Sequence, residues 1–192
     1  MEQIRAFIAV ELPGEVQREL ARLRDRLRAG SSAPVKWVDP QNIHLTLRFL
    51  GTIDTGGIDD ITAAMVESVR GLKPFPLEVR GLGAFPKLKR VNIIWVGLAG
   101  DVERLGGIQR ELEKNLEPLG FVPEKRPFSP HLTIGRLRDR ATPGERYDMG
   151  QLITRTGFET GREFTVDAVH LVKSVLTREG PIYSIIKTEK LG

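Results

Sequence analysis

Two short stretches of the chain, His44-Leu45-Thr46-Leu47 and His131-Leu132-Thr133-Ile134, repeat one polar–apolar alternation. That period belongs to a half-buried β-strand and puts each histidine on the same strand face as the threonine two residues later. The chain holds three histidines, and two of them stand in this repeated setting. An imidazole of ordinary pKa, about 6.5, takes a proton in one protonation state and gives one in the other. Two imidazoles facing one pocket can therefore serve as base and acid in a single displacement at phosphorus, where the attacking oxygen loses a proton and the leaving oxygen gains one. Each threonine would set a hydroxyl about 6.5–7 Å along the strand from its histidine, where it can donate to a phosphoryl oxygen carrying negative charge.

Each motif is led in from a proline (Pro40, Pro130) and followed by an arginine (Arg48, Arg136). Arg48 shares strand parity with His44 and Thr46, so it either points into a cleft near phosphate or stands at the solvent rim. Phe49 has the opposite parity and reads as core, unless a twist near the strand's end lets its ring reach a base. A two-histidine metal site would need a third ligand, and Asp39 is the one acid close to either motif. The chain has no cysteine and no His-Glu-x-x-His pattern. Thiolate chemistry and cysteine-ligated metals are thus excluded, and no metal and no cofactor are expected. Gly81-x-Gly83 leads into a basic stretch rather than a helix start, which argues against a dinucleotide site.

The elements that must position these motifs follow from periodicity. Ile4 to Leu12 reads as a strand ended by Pro13-Gly14, and residues 13–28 as a helix with Val16, Leu20, Leu23 and Leu27 inward. Val35 to Val38 is a short strand, and the first histidine strand runs from Ile43 to Leu50. Ile58, Ile61, Met65 and Val69 mark a second helix. Phe75 to Val79 and Val91 to Gly97 read as strands joined by a basic loop, Gly81 to Arg90, whose Lys87, Lys89 and Arg90 could follow an RNA backbone. A third helix covers Asp101 to Leu116. The second histidine strand runs to Leu137, the arginine-rich segment from Arg138 to Arg146 reads as a mobile loop, and a short helix covers Asp148 to Arg155. Phe164 to Val172 and Ile182 to Lys187 finish as strands. The order suggests two α+β halves, each with one His-x-Thr strand and its own helices. Trp37, Trp95 and His170 read as structural residues.

The chain has 192 residues, of which 40% are hydrophobic and 28% charged, with a net charge of +4. That suits a soluble globular protein with a mild preference for an anionic partner. The apolar run from Ile4 to Val10 is short, holds Arg5 and lacks a small-residue cleavage site, so it reads as a strand rather than a targeting segment. A cytoplasmic protein with no membrane span is expected.

Longer blocks around the motifs carry a resemblance. These are Arg5 to Pro13, Lys36-Trp37-Val38, Asn42 to Gly51, Phe85-Pro86, Val91 to Trp95, Phe128 to Arg136, Leu171 to Ser174 and Gly180 to Tyr183. Together they resemble the two-histidine phosphoesterase superfamily, and within it the 2′-5′ RNA ligase or RNA 2′,3′-cyclic phosphodiesterase branch. The resemblance implies a single two-lobed α+β domain over residues 1–192. Two antiparallel sheets would line a central cleft, helices would cover the outer faces, and the arrangement would be pseudo-two-fold. It implies hydrolysis of an RNA terminal 2′,3′-cyclic phosphate to a 2′-phosphate, without metal or cofactor, and reversible 2′-5′ joining of RNA ends such as tRNA halves. Carried over by position, His44 protonates the leaving 3′ oxygen, His131 activates water and Thr46 and Thr133 hold phosphoryl oxygens. Arg136 contacts phosphate or stacks on the terminal base, and the protein acts as a monomer. The alternatives are a phosphodiesterase for a small cyclic nucleotide or ADP-ribose cyclic phosphate, and an RNA-end-binding module without catalysis.

Overall fold

The N-terminal apolar run forms β1 (Gln3–Val10), about which the first sheet is built. A computed structural model describes residues 2–159 and 161–192. After β1 come α1 (Gly14–Ala29), β2 (Val35–Trp37), β3 (Leu45–Asp54), α2 (Ile58–Val69), β4 (Phe75–Lys87) and β5 (Arg90–Gly100). Then follow α3 (Val102–Leu116), β6 (Leu132–Leu137), α4 (Pro143–Thr156), β7 (Arg162–Val166), β8 (Ala168–Leu176) and β9 (Pro181–Lys190). The first sheet has strand order β3-β1-β8-β9 and the second β2-β6-β5-β4-β7, with antiparallel pairing throughout. The fold class is α+β, as expected. Among the described residues no helix is long and apolar enough to cross a membrane.

Helical spacing of apolar residues did what it does in amphipathic helices. Val16, Leu20, Leu23 and Leu27 of α1 are buried, as are Leu105, Ile108, Leu112 and Leu116 of α3. The partners of these faces differ from the two-halves expectation. The helix α1 follows a strand of the first sheet but packs with α4 behind the second, whereas α3 follows a strand of the second sheet and packs with α2 behind the first. Each lobe thus borrows a helix from the other end of the chain, and one continuous apolar core runs through both.

Three local readings change. Gly81 to Arg90 is not a loop, because β4 and β5 continue through it to a two-residue turn at Leu88-Lys89. Its glycines serve the strand: Gly81 (φ +87°) sits in a bulge between Val79 and Leu82. A Cβ on Gly83 would come within 2.4 Å of the Trp95 indole that lies over it. Arg138 to Arg146 runs into α4, whose start is set by a capping box between Thr142 and Glu145 with Pro143 in the first turn. Phe164 to Val172 is two strands. The chain leaves the second sheet after Val166, which pairs with Phe75, and enters the first at Ala168. Period two cannot see that change of sheet.

Candidate active site

The two motif strands bury their residues in the same order. Along Leu45 to Leu50 and along Leu132 to Leu137 the sequence is buried, half-buried, buried, buried, exposed, buried. The cause is a bulge at the same place in both. Thr46 pairs with Ala9 and Arg48 with Ile8, so Leu47 is extra; Thr133 pairs with Trp95 and Gly135 with Ile94, so Ile134 is extra. A bulge puts two residues opposite one and reverses strand parity beyond it. Thr46 and Phe49 therefore share the face of Phe7 and Ala9, and Thr133 and Arg136 share the face of Trp95 and Ile93.

This parity reversal overturns the expectation for Arg48. Its side chain turns away from the face of Thr46 and lies buried against the helix layer, 6% exposed. There Nε stands 3.3 Å from Glu113 of α3, Nη1 donates to Glu124 at 3.1 Å, and Nη2 donates to the carbonyl of Val122. Arg48 is a clamp between β3 and the segment after α3, not a phosphate ligand or a rim residue. Phe49, expected in the core, is instead 65% exposed. The arginine following each motif was a misleading parallel, since Arg48 stands four residues after His44 and Arg136 five after His131. The structural counterpart of Arg136 is Phe49.

Each histidine stands just before its strand, not within it. His44 Nδ1 is 2.9 Å from the carbonyl of Asn42, and His131 Nδ1 is 2.7 Å from the carbonyl of Ser129. A carbonyl can only accept, so Nδ1 carries the hydrogen in both rings and the neutral tautomer keeps its lone pair on Nε2. Asn42 is itself fixed, donating through Nδ2 to the carbonyl of Pro181 at 3.1 Å. The His44 ring stacks on Phe7 with centroids 4.5 Å apart and meets Tyr183 edge-on at 5.1 Å. His131 meets Phe85 edge-on at 5.0 Å, and Phe85 lies against Trp95. Burial lowers the His44 pKa below the ordinary imidazole value, and the Asn42 carbonyl opposes part of that shift.

Tyr183 ties the two sheets together electrically. It sits on β9 of the first sheet, yet its phenol, pushed up by burial, is drawn back by Arg136 of the second sheet and by Arg5. The face carrying His44 and Phe7 therefore lies near the face carrying Arg136. Tyr183 had no signal in the sequence beyond its place in the Gly180 to Tyr183 block. His170 lies beside Ala9 on β8, its Nδ1 3.0 Å from Thr188 Oγ1. Among the described residues no cluster of three or more His, Cys, Asp or Glu is placed to hold a metal ion. Among the described residues neither His44 Nε2 nor His131 Nε2 has a hydrogen-bond partner, so each ring is able to take or give a proton at that atom.

The LigT like Phosphoesterase family model matches residues 10–95 and 96–183, so each match contains one His-x-Thr motif. The chain is 33% identical over 189 residues to an RNA 2′,3′-cyclic phosphodiesterase of Methanothermobacter thermautotrophicus, covering 98% of this chain and all of that one. It is 36% identical over 170 residues to an RNA 2′,3′-cyclic phosphodiesterase of Aeropyrum pernix, covering 87% and 92%. Among solved structures it is similar to a Thermus thermophilus protein with TM-score 0.78 and 27% identity, over 98% of both chains. Escherichia coli LigT complexed with 3′-AMP has the same fold, with TM-score 0.78 at 21% identity over 99% of both.

Proposed function

The chain belongs to the LigT-like phosphoesterase family, and on that premise we propose that it opens the 2′,3′-cyclic phosphate at the 3′ end of an RNA to leave a 2′-phosphate. Two relatives named RNA 2′,3′-cyclic phosphodiesterase match at 33% and 36% identity over most of their length, which supports the reaction class. The single observation that supports the mechanism is the matched pair of histidines, each with Nδ1 tied to the carbonyl two residues before it and Nε2 left to move a proton.

In this reading His131 Nε2 takes a proton from water as the water oxygen bonds to phosphorus. The bond from phosphorus to the ribose 3′ oxygen breaks, and His44 gives its proton to that oxygen. The products are a 3′-hydroxyl and a 2′-phosphate, with the two histidines having exchanged protonation states. Thr46 and Thr133 donate to the non-bridging oxygens, where charge concentrates in the transition state. Arg136 holds the phosphate or the terminal base with its planar guanidinium. The burial that lowers the His44 pKa in the free protein is offset when an anionic phosphate arrives beside it, so that the proton is held where the leaving oxygen needs it. With the 5′-hydroxyl of a second RNA end in place of water, the same groups join RNA through a 2′-5′ linkage, as on tRNA halves. The 5′ oxygen bonds to phosphorus as its proton is taken, and the bond from phosphorus to the 3′ oxygen breaks as that oxygen is protonated. The reverse step cleaves the linkage back to a cyclic phosphate and a 5′-hydroxyl. Both motifs come from one chain, so a monomer suffices, and the reading is of a cytoplasmic protein.

The test is incubation with an oligonucleotide ending in a 2′,3′-cyclic phosphate, in the presence of chelator. The expected product keeps its phosphate on the 2′ oxygen, and His44→Ala and His131→Ala each lower kcat by about 10²–10⁴-fold while far-ultraviolet dichroism is unchanged. Turnover that survives either substitution overturns the mechanism. A bound but unreacted cyclic-phosphate end would make the protein an RNA-end binder instead.

A further inference from the structure

The face that carries Thr133 does not end at Arg136. Past it the second sheet opens into a cavity of about 450 Å³ whose wall includes Arg90, Asn92, Ile93, Arg136, Asp139 and Arg146. Arg136 and Ile93 are cross-strand partners, and Ile93 is paired on its other side with Phe85, the residue packed on His131. The cavity therefore adjoins, along β5 and β6, the sheet face that carries Thr133 and Arg136. Four strand steps from His131 to Arg136, discounting the bulged residue, span about 13 Å. That is a distance between backbones, and the long Arg136 side chain can span much of it, so Arg136 stands at the junction between the reacting phosphate and the cavity beyond.

The cavity is also built for an anion. Arg146, in the first turn of α4, is held by neutral oxygens on every side. It donates to the carbonyls of Val91 at 3.0 Å, Arg138 at 3.0 Å and Ala141 at 3.3 Å, and to Asn92 Oδ1 at 2.7 Å. A second bulge, where Phe85 pairs with Ile93 and Pro86 with Val91, turns Asn92 out of the ladder to do this. Among the described residues none of Arg90, Arg136 and Arg146 has a carboxylate within salt-bridge distance. Three guanidinium groups face one carboxylate, that of Asp139, so the wall keeps an excess of positive charge. A partly buried cation costs desolvation unless it is paired. A wall that fixes one with neutral acceptors and leaves its charge uncancelled is fitted to an anion from outside, and guanidinium forks match phosphate.

We infer that this cavity binds the phosphate on the 5′ side of the terminal nucleoside, so that the enzyme selects polynucleotide ends over a nucleoside 2′,3′-cyclic phosphate; the inference rests on the phosphodiesterase reading above. The chain of such a substrate extends only on the 5′ side of its cyclic phosphate, which identifies the group that the cavity receives. A 5′-phosphate on a single nucleotide offers the same chemistry, and it separates the effect of one phosphate from that of a longer chain.

Three substrates test this: a nucleoside 2′,3′-cyclic phosphate, its 5′-phosphorylated form, and a dinucleotide with the same cyclic end. The 5′-phosphorylated form and the dinucleotide are expected to have KM values about ten-fold lower than the first, an advantage that shrinks as salt is raised. Arg90→Gln, at an exposed position beside the hairpin turn, is expected to remove most of that advantage, and Arg90→Lys to restore part of it. Equal KM values for the three substrates in the unaltered protein overturn the inference, as does an advantage that Arg90→Gln leaves intact. Absence of turnover with all three instead defeats the phosphodiesterase reading. In that case, equilibrium binding of a 5′-phosphorylated oligonucleotide ending in a 2′-phosphate carries the same comparison between the unaltered protein and Arg90→Gln. Weaker binding to Arg90→Gln supports the cavity, and equal binding overturns it.

Discussion

His44 lies face to face with Phe7, ring centroids 4.5 Å apart and planes inclined by 21°, with Tyr183 closing the side. The imidazole is thereby shielded from water, and desolvation pulls its pKa down while the Asn42 carbonyl pulls it partly back. With His44 as the acid, the protonated ring is the active form of the free enzyme. The alkaline limb of kcat/KM should then fall at a pH below about 6.5, the ordinary imidazole value. Tyr183→Ala admits water, raises the His44 pKa and should carry that limb to higher pH. If the acidic limb moves instead, His44 is the base and the two roles are exchanged.

Phe49 occupies on β3 the position that Arg136 occupies on β6, five residues after a histidine and beyond a matching bulge. An exposed aromatic ring on the face of Thr46 suits stacking on the terminal base. Phe49→Ala should raise KM for a cyclic-phosphate substrate about ten-fold, with kcat and thermal stability unchanged. Steady-state kinetics and a melting curve check this together. Unchanged KM would mean that the ring has no part in binding.

Arg48 predicts the opposite pattern. It is 6% exposed and its partner Glu113 15%, so Arg48→Met leaves a shielded carboxylate without its cation. The loss should be about 3 kcal/mol, measured by urea unfolding, with KM unmoved for the folded fraction. A rise in KM without loss of stability would put this arginine back at the phosphate.

The seat of α4 is a close approach of backbones. A Cβ on Gly150 would lie 1.7 Å from the carbonyl oxygen of Leu88, in the turn between β4 and β5. Gly150→Ala must push the helix off the hairpin and should cost about 2 kcal/mol or more. Gly144→Ala in the same helix meets only Thr142 Oγ1, at 3.9 Å. That change should be neutral or stabilise by about 0.5 kcal/mol through the unfolded chain. The two melting temperatures, compared, separate contact from helix propensity.

Local order was legible wherever a period holds without interruption. The apolar stripes of α1, α2 and α3 fall where helical spacing puts them, and α2 spans Ile58–Val69, the stripe's own limits. The two His-x-Thr stretches could be read as paired strand segments because each carries its own alternation. Thr46 and Thr133 lie before the bulges, so the period holds for them. Beyond that point the period misleads. One residue slipped out of a ladder flips every later side chain, and whether a residue slips depends on the neighbouring strand, here β1 for Leu47 and β5 for Ile134. That is why Arg48 and Phe49 exchanged faces relative to expectation. Partnership across the fold was equally invisible in the sequence. The crossing of α1 and α3 to opposite lobes, the sheet change after Val166, the ring of Tyr183 on His44 and the neutral cradle around Arg146 all join residues far apart in the chain. The types of the reacting groups are properties of the residues themselves and were determined by the sequence alone. Which face each presents, and how dry its surroundings are, was decided only when distant strands met.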